Sequence, residues 1–432
     1  MNKTYKISIL TLGCRVNQYE SDYIAKELTS LGASVVPFCK DCDAYIINTC
    51  TVTGESDRKS KQLIRRCVKS NPNAKIVVTG CYSQINKKEA EEISGVSLVC
   101  DSNSKSQIPA LVLRLLNGEP PLYTPTSKES FDKISVGASP TRTRAFIKIE
   151  DGCDSKCAYC IIPKARGNVR SASIEDVLSE ITQIASEGCP EVVLTGIETA
   201  AYGKDLQNGE SLTTLLCRAD KIEGIERIRL GSLDPASITK DFVDGIKCLK
   251  KVMPHFHLSM QSGCTKTLNQ MRRKYSIEMA KSNIDYLRSQ IAGVQFSADV
   301  ITGFPNESDI DFEETYNFFK EEQFLHLHIF PYSKRKGTPA CDMPNQVDEH
   351  IKKERLHKLE SLEKEIKLSL LKDYISKNSR GTVLFESTQN GYACGHLPNF
   401  MEVKMESQDN LSGQLIEVNL LSTDGKYIYA NK

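Results

Sequence analysis

The stretch AFIKIEDGCDSKCAYC, residues 145–160, decides how this chain is read. Ala145–Ile149 is a candidate strand, and three cysteines follow it closely: Cys153, Cys157 and Cys160. This C-x3-C-x2-C run supplies three thiolates with no close fourth. An iron–sulfur cube ordinarily takes four protein thiolates, so a three-ligand cube leaves one iron open to bind another molecule. A zinc site would want a second C-x2-C pair or a nearby His, and neither follows. The trio therefore points to an iron–sulfur cluster rather than to zinc or to unrelated buried thiols.

Downstream of that loop, strand and helix patterns alternate. Candidate strands are Ala145–Ile149, Val192–Thr195, Ile228–Gly231, Phe256–Met260, Val294–Val300 and Leu325–Phe330, with helical patterns such as Ile174–Ser186, Ser237–Leu249, Glu278–Arg288 and Asp309–Glu321 between them. Six β/α units fall short of a full eight-stranded barrel, so a partial (β/α)6 barrel is expected. Its cysteine loop then lies on the C-terminal rim, where barrel enzymes keep their chemistry.

Upstream, residues 1–116 alternate in the same way. Apolar runs at Ile7–Leu12, Tyr45–Ile47 and Ile76–Val78 are separated by helical stretches near Glu20–Leu31 and Arg58–Lys69, the pattern of a small parallel α/β domain. Each run leads into a cysteine: TLGC to Cys14, INTC to Cys50, VTGC to Cys81. Ligands of open parallel sheets bind outside the carboxyl ends of the strands, so these three thiols are expected to converge.

The remaining segments complete an α/β chain. Residues 117–143, with Pro120, Pro121, Pro125 and Pro140, read as a surface linker. The barrel domain, 144–370, ends in a long amphipathic helix over Asp348–Tyr374, with apolar spacing at Leu356, Leu359, Leu362, Ile366 and Leu370. Residues 371–432 hold short β-like runs (Thr382–Phe385, Met401–Met405, Leu415–Leu420, Tyr427–Tyr429) and are expected to form a small β-barrel.

Composition excludes some classes. The formal charge is +1, so no global basic field advertises nucleic acid, and any such surface must be local. Sixteen cysteines without a signal-peptide pattern, in a chain with no apolar run of membrane-spanning length, suit a reducing cytoplasm where thiols bind metal or stay free.

The cysteine run with Tyr159 before its last member resembles the signature of radical S-adenosylmethionine enzymes. In that superfamily the open iron holds the amino and carboxylate groups of the cofactor, and an electron from the cluster cleaves it to a 5′-deoxyadenosyl radical. With TLGCRVNQYES, INTCTVT, VTGC, KIEDGCDSKCAYCIIPKARG, LTGIE, HLSMQSG, SADVITGFP and IFPYSKRKGTPA added, the whole chain resembles the radical methylthiotransferases. These have an N-terminal three-cysteine domain, a radical domain and a C-terminal TRAM β-barrel. TLGCRVNQYES and IIPKARG most resemble the branch acting on N6-threonylcarbamoyladenosine in tRNA. Branches acting on isopentenyladenosine or on a ribosomal-protein aspartate are the alternatives, and a non-catalytic electron-transfer or RNA-binding protein is the alternative from another class.

The resemblance implies two 4Fe-4S clusters, one on Cys153, Cys157 and Cys160 and an auxiliary one on Cys14, Cys50 and Cys81. It implies that one S-adenosylmethionine methylates a sulfur held on the auxiliary cluster, and that a second yields the radical that activates C2 of adenine. That carbon bears an unactivated aromatic C–H, which acid–base side chains do not suffice to attack. Tyr159, Gly196 and Glu198 of TGIE, and Ser232 and Asp299 at the ends of the third and fifth barrel strands, are the expected cofactor-contacting residues. The expected partners are the anticodon loop of tRNA and an electron donor such as flavodoxin or ferredoxin, with no membrane and a monomeric chain. Three basic groups follow barrel strands and are candidates to neutralise phosphates: Lys164, Arg166 and Arg170; Arg272, Arg273 and Lys274; Lys334, Arg335 and Lys336. GHLPNF, Gly395 to Phe400, resembles a TRAM module whose Phe400 could stack on an unpaired base. Residues 370–432, however, carry six basic and seven acidic side chains, poor for an RNA binder. Cys39 and Cys42 form a C-x2-C pair without the partner pair that zinc needs.

Overall fold

A computed structural model describes residues 4–126, 129–138, 143–207 and 209–432. Pro140 and the rest of 139–142, within the expected linker, lie outside the described residues.

The N-terminal sheet is parallel throughout, in the order Ser34–Val35, Lys6–Thr11, Ala44–Thr49, Lys75–Gly80, Val96–Val99. Its central strand Ala44–Thr49 is buried at every position, the mark of a strand covered on both faces. Chain order reverses between Lys6–Thr11 and Ala44–Thr49. In doubly wound sheets that switch point is where ligands bind, and Cys14 and Cys50 directly follow those two strands.

Six parallel strands form the second unit in chain order: Arg144–Lys148, Glu191–Thr195, Arg227–Leu230, His255–Gln261, Gln295–Thr302 and His326–Pro331. They pair as two runs of three. The runs are joined through Leu233, whose N–H donates to the His257 carbonyl at 2.9 Å and whose carbonyl accepts from Ser259 N–H at 2.9 Å. Among the described residues the first and last strands do not pair with each other, so the barrel is open on one side. Helices shield its outer face in one large core running from Ile147 to Leu327.

The helix Glu349–Lys377 starts at Asp348, whose side chain accepts from His350 N–H. It packs Leu359, Leu362 and Ile366 against the barrel and Leu371 into the terminal unit. That unit is a closed five-stranded barrel of Arg380–Gln389, Tyr392–His396, Glu402–Glu406, Ile428–Asn431 and Leu415–Thr423. Tyr392–His396 adds a strand that the short-run pattern does not reveal, entered through Asn390 and Gly391, both at positive φ. The linker is more than a surface connection. Ile134 is buried and its carbonyl accepts from Tyr19 Oη at 2.7 Å, while Val136 N–H donates to Glu180 at 2.8 Å.

Candidate functional site

The N-terminal thiols sit where strands give way to helices. Cys14 precedes helix Arg15–Ser30, Cys50 directly follows Ala44–Thr49, and Cys81 opens the short helix Cys81–Ile85. Gly13, at φ +105°, lets Cys50 approach: a Cβ there would stand 3.1 Å from the Cys50 sulfur. The three sulfurs lie close enough for their charges to interact. Cys14 is exposed, whereas Cys50 and Cys81 are buried.

Beside them lies a buried ionic network that spans two domains. Arg166 is fully buried; its Nε donates to Cys81 Sγ at 3.2 Å, one Nη to Glu20 at 2.6 Å and Asp151 at 3.1 Å, and the other to Asn17 Oδ1 at 2.6 Å. Lys105 reaches Glu20 at 3.2 Å, Lys148 reaches Asp151 at 3.2 Å, and Arg170 lies 3.5 Å from Asp151. Two carboxylates thus face four buried cations. Buried charge must be compensated, and ionised thiolates holding an iron–sulfur cluster suit this excess. Burial pushes the Cys81 thiol up to about 11, and the Arg166 charge beside it opposes that rise.

The second trio is on the barrel rim. Each sulfur receives one N–H: Ser155 N to Cys153, Ile162 N to Cys160, and Arg273 Nη1 to Cys157, all at 3.4 Å. Such donors favour thiolates, so this trio also fits a cluster. The loop is braced by Ala158, which donates to the Met271 carbonyl at 2.9 Å and accepts from Ala340 N–H at 2.8 Å. Helix Ile162–Arg166, just after Cys160, packs on helix Cys81–Ile85, which begins with Cys81. Both trios therefore border one seam between the domains. Arg335 closes another part of it, donating to Thr51 Oγ1 and Asp57 Oδ2 at 2.7 Å each.

The expected cofactor-contacting residues divide. Glu198 accepts from Asp234 N–H at 3.0 Å, and burial with the nearby Asp234 charge lifts its carboxyl to about 7. Its turn is held by Glu150, which accepts from Ile197 and Glu198 N–H at 2.8 and 2.9 Å. Gly196 is required there, since a Cβ would come within 2.5 Å of Glu150 Oε2. Tyr159 meets Phe304 edge to face at 6.4 Å. Ser232 follows its strand on the rim, half-buried. Asp299 does not end its strand. It lies mid-strand, three residues before Thr302, and its carboxylate faces His257 Nε2 at 3.3 Å. The strand runs to Thr302, beyond the hydrophobic pattern, and this leaves Asp299 inside the barrel.

Two RNA-binding expectations are corrected. Arg166, Arg170 and Arg335 are buried, and the Arg273 side chain is 5% exposed and paired with Asp234 at 3.0 Å. These guanidiniums assemble the seam and the rim, leaving Lys164, Arg272, Lys274, Lys334 and Lys336 exposed. Phe400 is not free for a base. It stacks between His396 at 4.4 Å and His255 at 4.8 Å, with Arg229 over its ring at 4.8 Å. Around it Arg227 and Arg229 donate to the carbonyls of Thr382, His396, Leu397 and Pro398. The terminal barrel thus plugs the end of the barrel opposite the cysteine rim. The Cys39 and Cys42 sulfurs lie 3.1 Å apart, at the end of the sheet away from Cys50.

Glu20, Asn17, Asp151 and Glu150 are not singled out by the sequence, which marks Arg273 only as a phosphate contact and not as the donor to Cys157. Asn17 and Glu20 share a helix face with Cys14 at three-residue spacing, a signal that could have flagged them.

Residues 6–101 match the family described as uncharacterized protein family UPF0004, and residues 147–319 match the radical SAM superfamily. The chain is 36% identical to a threonylcarbamoyladenosine tRNA methylthiotransferase of Bacillus subtilis, covering 98% of this chain and 95% of that protein. It is 32% identical to a tRNA-2-methylthio-N(6)-dimethylallyladenosine synthase of Caldicellulosiruptor saccharolyticus, covering 99% and 92%. Among solved structures, the radical S-adenosylmethionine methyltransferase TsrM of Kitasatospora setae shares the fold with a TM-score of 0.56 at 13% identity, over 78% of this chain and 74% of that one.

Proposed function

The chain belongs to the radical S-adenosylmethionine methylthiotransferases, and from that membership we propose that it methylthiolates C2 of N6-threonylcarbamoyladenosine beside the anticodon of tRNA. Five relatives bearing that activity in their names align at 33–36% identity along nearly the whole chain. Dimethylallyladenosine synthases align at 32% and support the isopentenyladenosine alternative less well.

The observation that supports the reading is the packing of the helix just after Cys160 on the helix that opens with Cys81, with Arg166 reaching Cys81 across the seam. Cys153, Cys157 and Cys160 hold one 4Fe-4S cluster and Cys14, Cys50 and Cys81 a second. When bound, these groups and S-adenosylmethionine supply the radical and the sulfur chemistry that C2 requires. The chain's own contribution is placement. Arg273 and two backbone N–H groups steady the rim thiolates, Arg166 steadies Cys81, and Glu150 fixes the turn that presents Glu198 toward the cofactor. The target base lies in a loop, so it can be splayed into the seam without melting a helix. The enzyme works as a cytoplasmic monomer supplied by a flavodoxin- or ferredoxin-type donor. Among the described residues no helix is long and apolar enough to cross a membrane.

Nucleoside mass spectrometry of tRNA from a deletion strain tests the substrate. The 2-methylthio-N6-threonylcarbamoyladenosine signal is expected to vanish while its parent nucleoside accumulates, and an unchanged signal overturns the assignment.

A further inference from the structure

The helix Gly54–Ser70 carries a charged face that neither thiol trio uses. Arg58, Gln62, Arg65 and Lys69 recur at helical spacing with Lys59 and Arg66 alongside, and all six are exposed. Ser60, Ile64 and Cys67 bury the opposite face. Glu55 pairs with Arg58 at 2.6 Å, and Lys61 pairs with Glu89 at 2.8 Å. The helix's other carboxylate, Asp57, is turned to Arg335. Among the described residues Arg65, Arg66 and Lys69 form no salt bridge, and with Lys40, Gln62 and Ser70 they line a concavity of about 460 Å³ that has no carboxylate.

This face is continuous with the site. Its helix begins four residues after Cys50 and is fastened to the barrel rim by Gly54 N–H to Ser333 Oγ at 3.0 Å. From Arg58 to Lys69 the stripe runs about 17 Å outward from the seam. Guanidinium forks suit phosphate oxygens. A protein partner would want apolar or aromatic anchors at the centre of the patch. Among the described residues the one ring that a cation of this face covers is Phe38, lying under Arg66 at 4.3 Å.

We propose that this face docks the phosphates of the tRNA stem next to the anticodon loop, so that the loop reaches the seam. The proposal rests on the reading that tRNA is the substrate, and it takes over the task that the buried Arg166, Arg170, Arg273 and Arg335 cannot perform.

The test is a full-length, reconstituted triple variant, Arg65→Glu, Arg66→Glu and Lys69→Glu, titrated with a tRNA anticodon stem-loop by fluorescence anisotropy across salt concentrations. All three side chains are exposed, and the circular dichroism melt should match the parent. Affinity should fall at least tenfold at low salt, with the slope of log K against log salt shallower by about 2 to 3, while RNA-independent cleavage of S-adenosylmethionine stays unchanged. A control variant, Lys353→Glu, Lys364→Glu and Lys372→Glu, should bind like the parent. Unchanged affinity and slope in the first variant overturn the proposal, as does an equal loss in the control. Normal RNA binding with slowed reduction by an acidic electron carrier also overturns it and assigns the face to that carrier. If the parent enzyme neither binds nor modifies tRNA, it is the substrate reading that fails.

Discussion

Arg166 Nε stands 3.2 Å from Cys81 Sγ, so a residue of the barrel loop touches a thiol of the neighbouring domain. The same guanidinium is shared between Glu20 of that domain and Asp151 of its own. Removing it would break its buried pairs with Glu20 at 2.6 Å and Asp151 at 3.1 Å, and breaking such pairs costs about 3–5 kcal/mol. Arg166→Met should lower the unfolding free energy by about that amount in urea titration of the metal-free protein. Arg166→Lys should lose less, since it keeps the charge but not the fork. Equal stability of Arg166→Met and the parent would show that the network does not hold the seam.

Separate thiol trios predict separable activities. Cys50→Ala should keep most 5′-deoxyadenosine production, because Cys153, Cys157 and Cys160 are untouched, and should abolish methylthio transfer. Chromatographic assay of both products checks this, and iron content should drop by about half, from two cubes to one. Joint loss of both products would mean that the trios do not act separately.

The plug around Phe400 makes stability sensitive to mild acid. Burial, with Arg229 and the neighbouring histidines, holds His255 well below its ordinary value. The folded state then binds fewer protons than the unfolded chain below about pH 6.5, so this contribution is full above that pH and declines as pH falls. Unfolding free energy should begin to drop near pH 6.5, by about 1.4 kcal/mol per pH unit from this group. His255→Phe should flatten that limb. Phe400→Ala should cost about 3 kcal/mol and leave tRNA affinity unchanged, which separates a packing role from base stacking.

The sequence reveals local features better than distant ones. Cysteine spacing, strand ends and the alternation of elements are local, and the observed strands follow them closely. Asn390–Gly391 is a strong hairpin signal, yet the strand it opens, Tyr392–His396, is too polar and glycine-bearing to stand out. The partners of Arg166, Arg273 and Arg335 come from residues far along the chain. Nothing in a run of basic residues tells a buried staple from a phosphate contact. Phe400 is illegible in the sequence for the same reason, as its stacking partner His255 is contributed by the barrel. Asp299 depended on where a strand stops, and a strand of eight residues carried it inward.

Glu198 should make cofactor affinity depend on pH. Its carboxyl is lifted to about 7 by burial and by Asp234, with Arg273 opposing. Bound S-adenosylmethionine keeps its positive sulfonium, so the ionised carboxylate is the form that attracts it. At pH 6 only about a tenth of such a group is ionised, so affinity should strengthen by up to about tenfold between pH 6 and pH 8. Glu198→Gln should bind more weakly at pH 8 and show a flat profile. Asp234→Asn should move the midpoint down, because the charge that raises it is gone. Calorimetric titration of the reconstituted enzyme at several pH values reads all three. A pH-dependent profile that persists in Glu198→Gln would assign the titration to another group and remove Glu198 from the cofactor's surroundings.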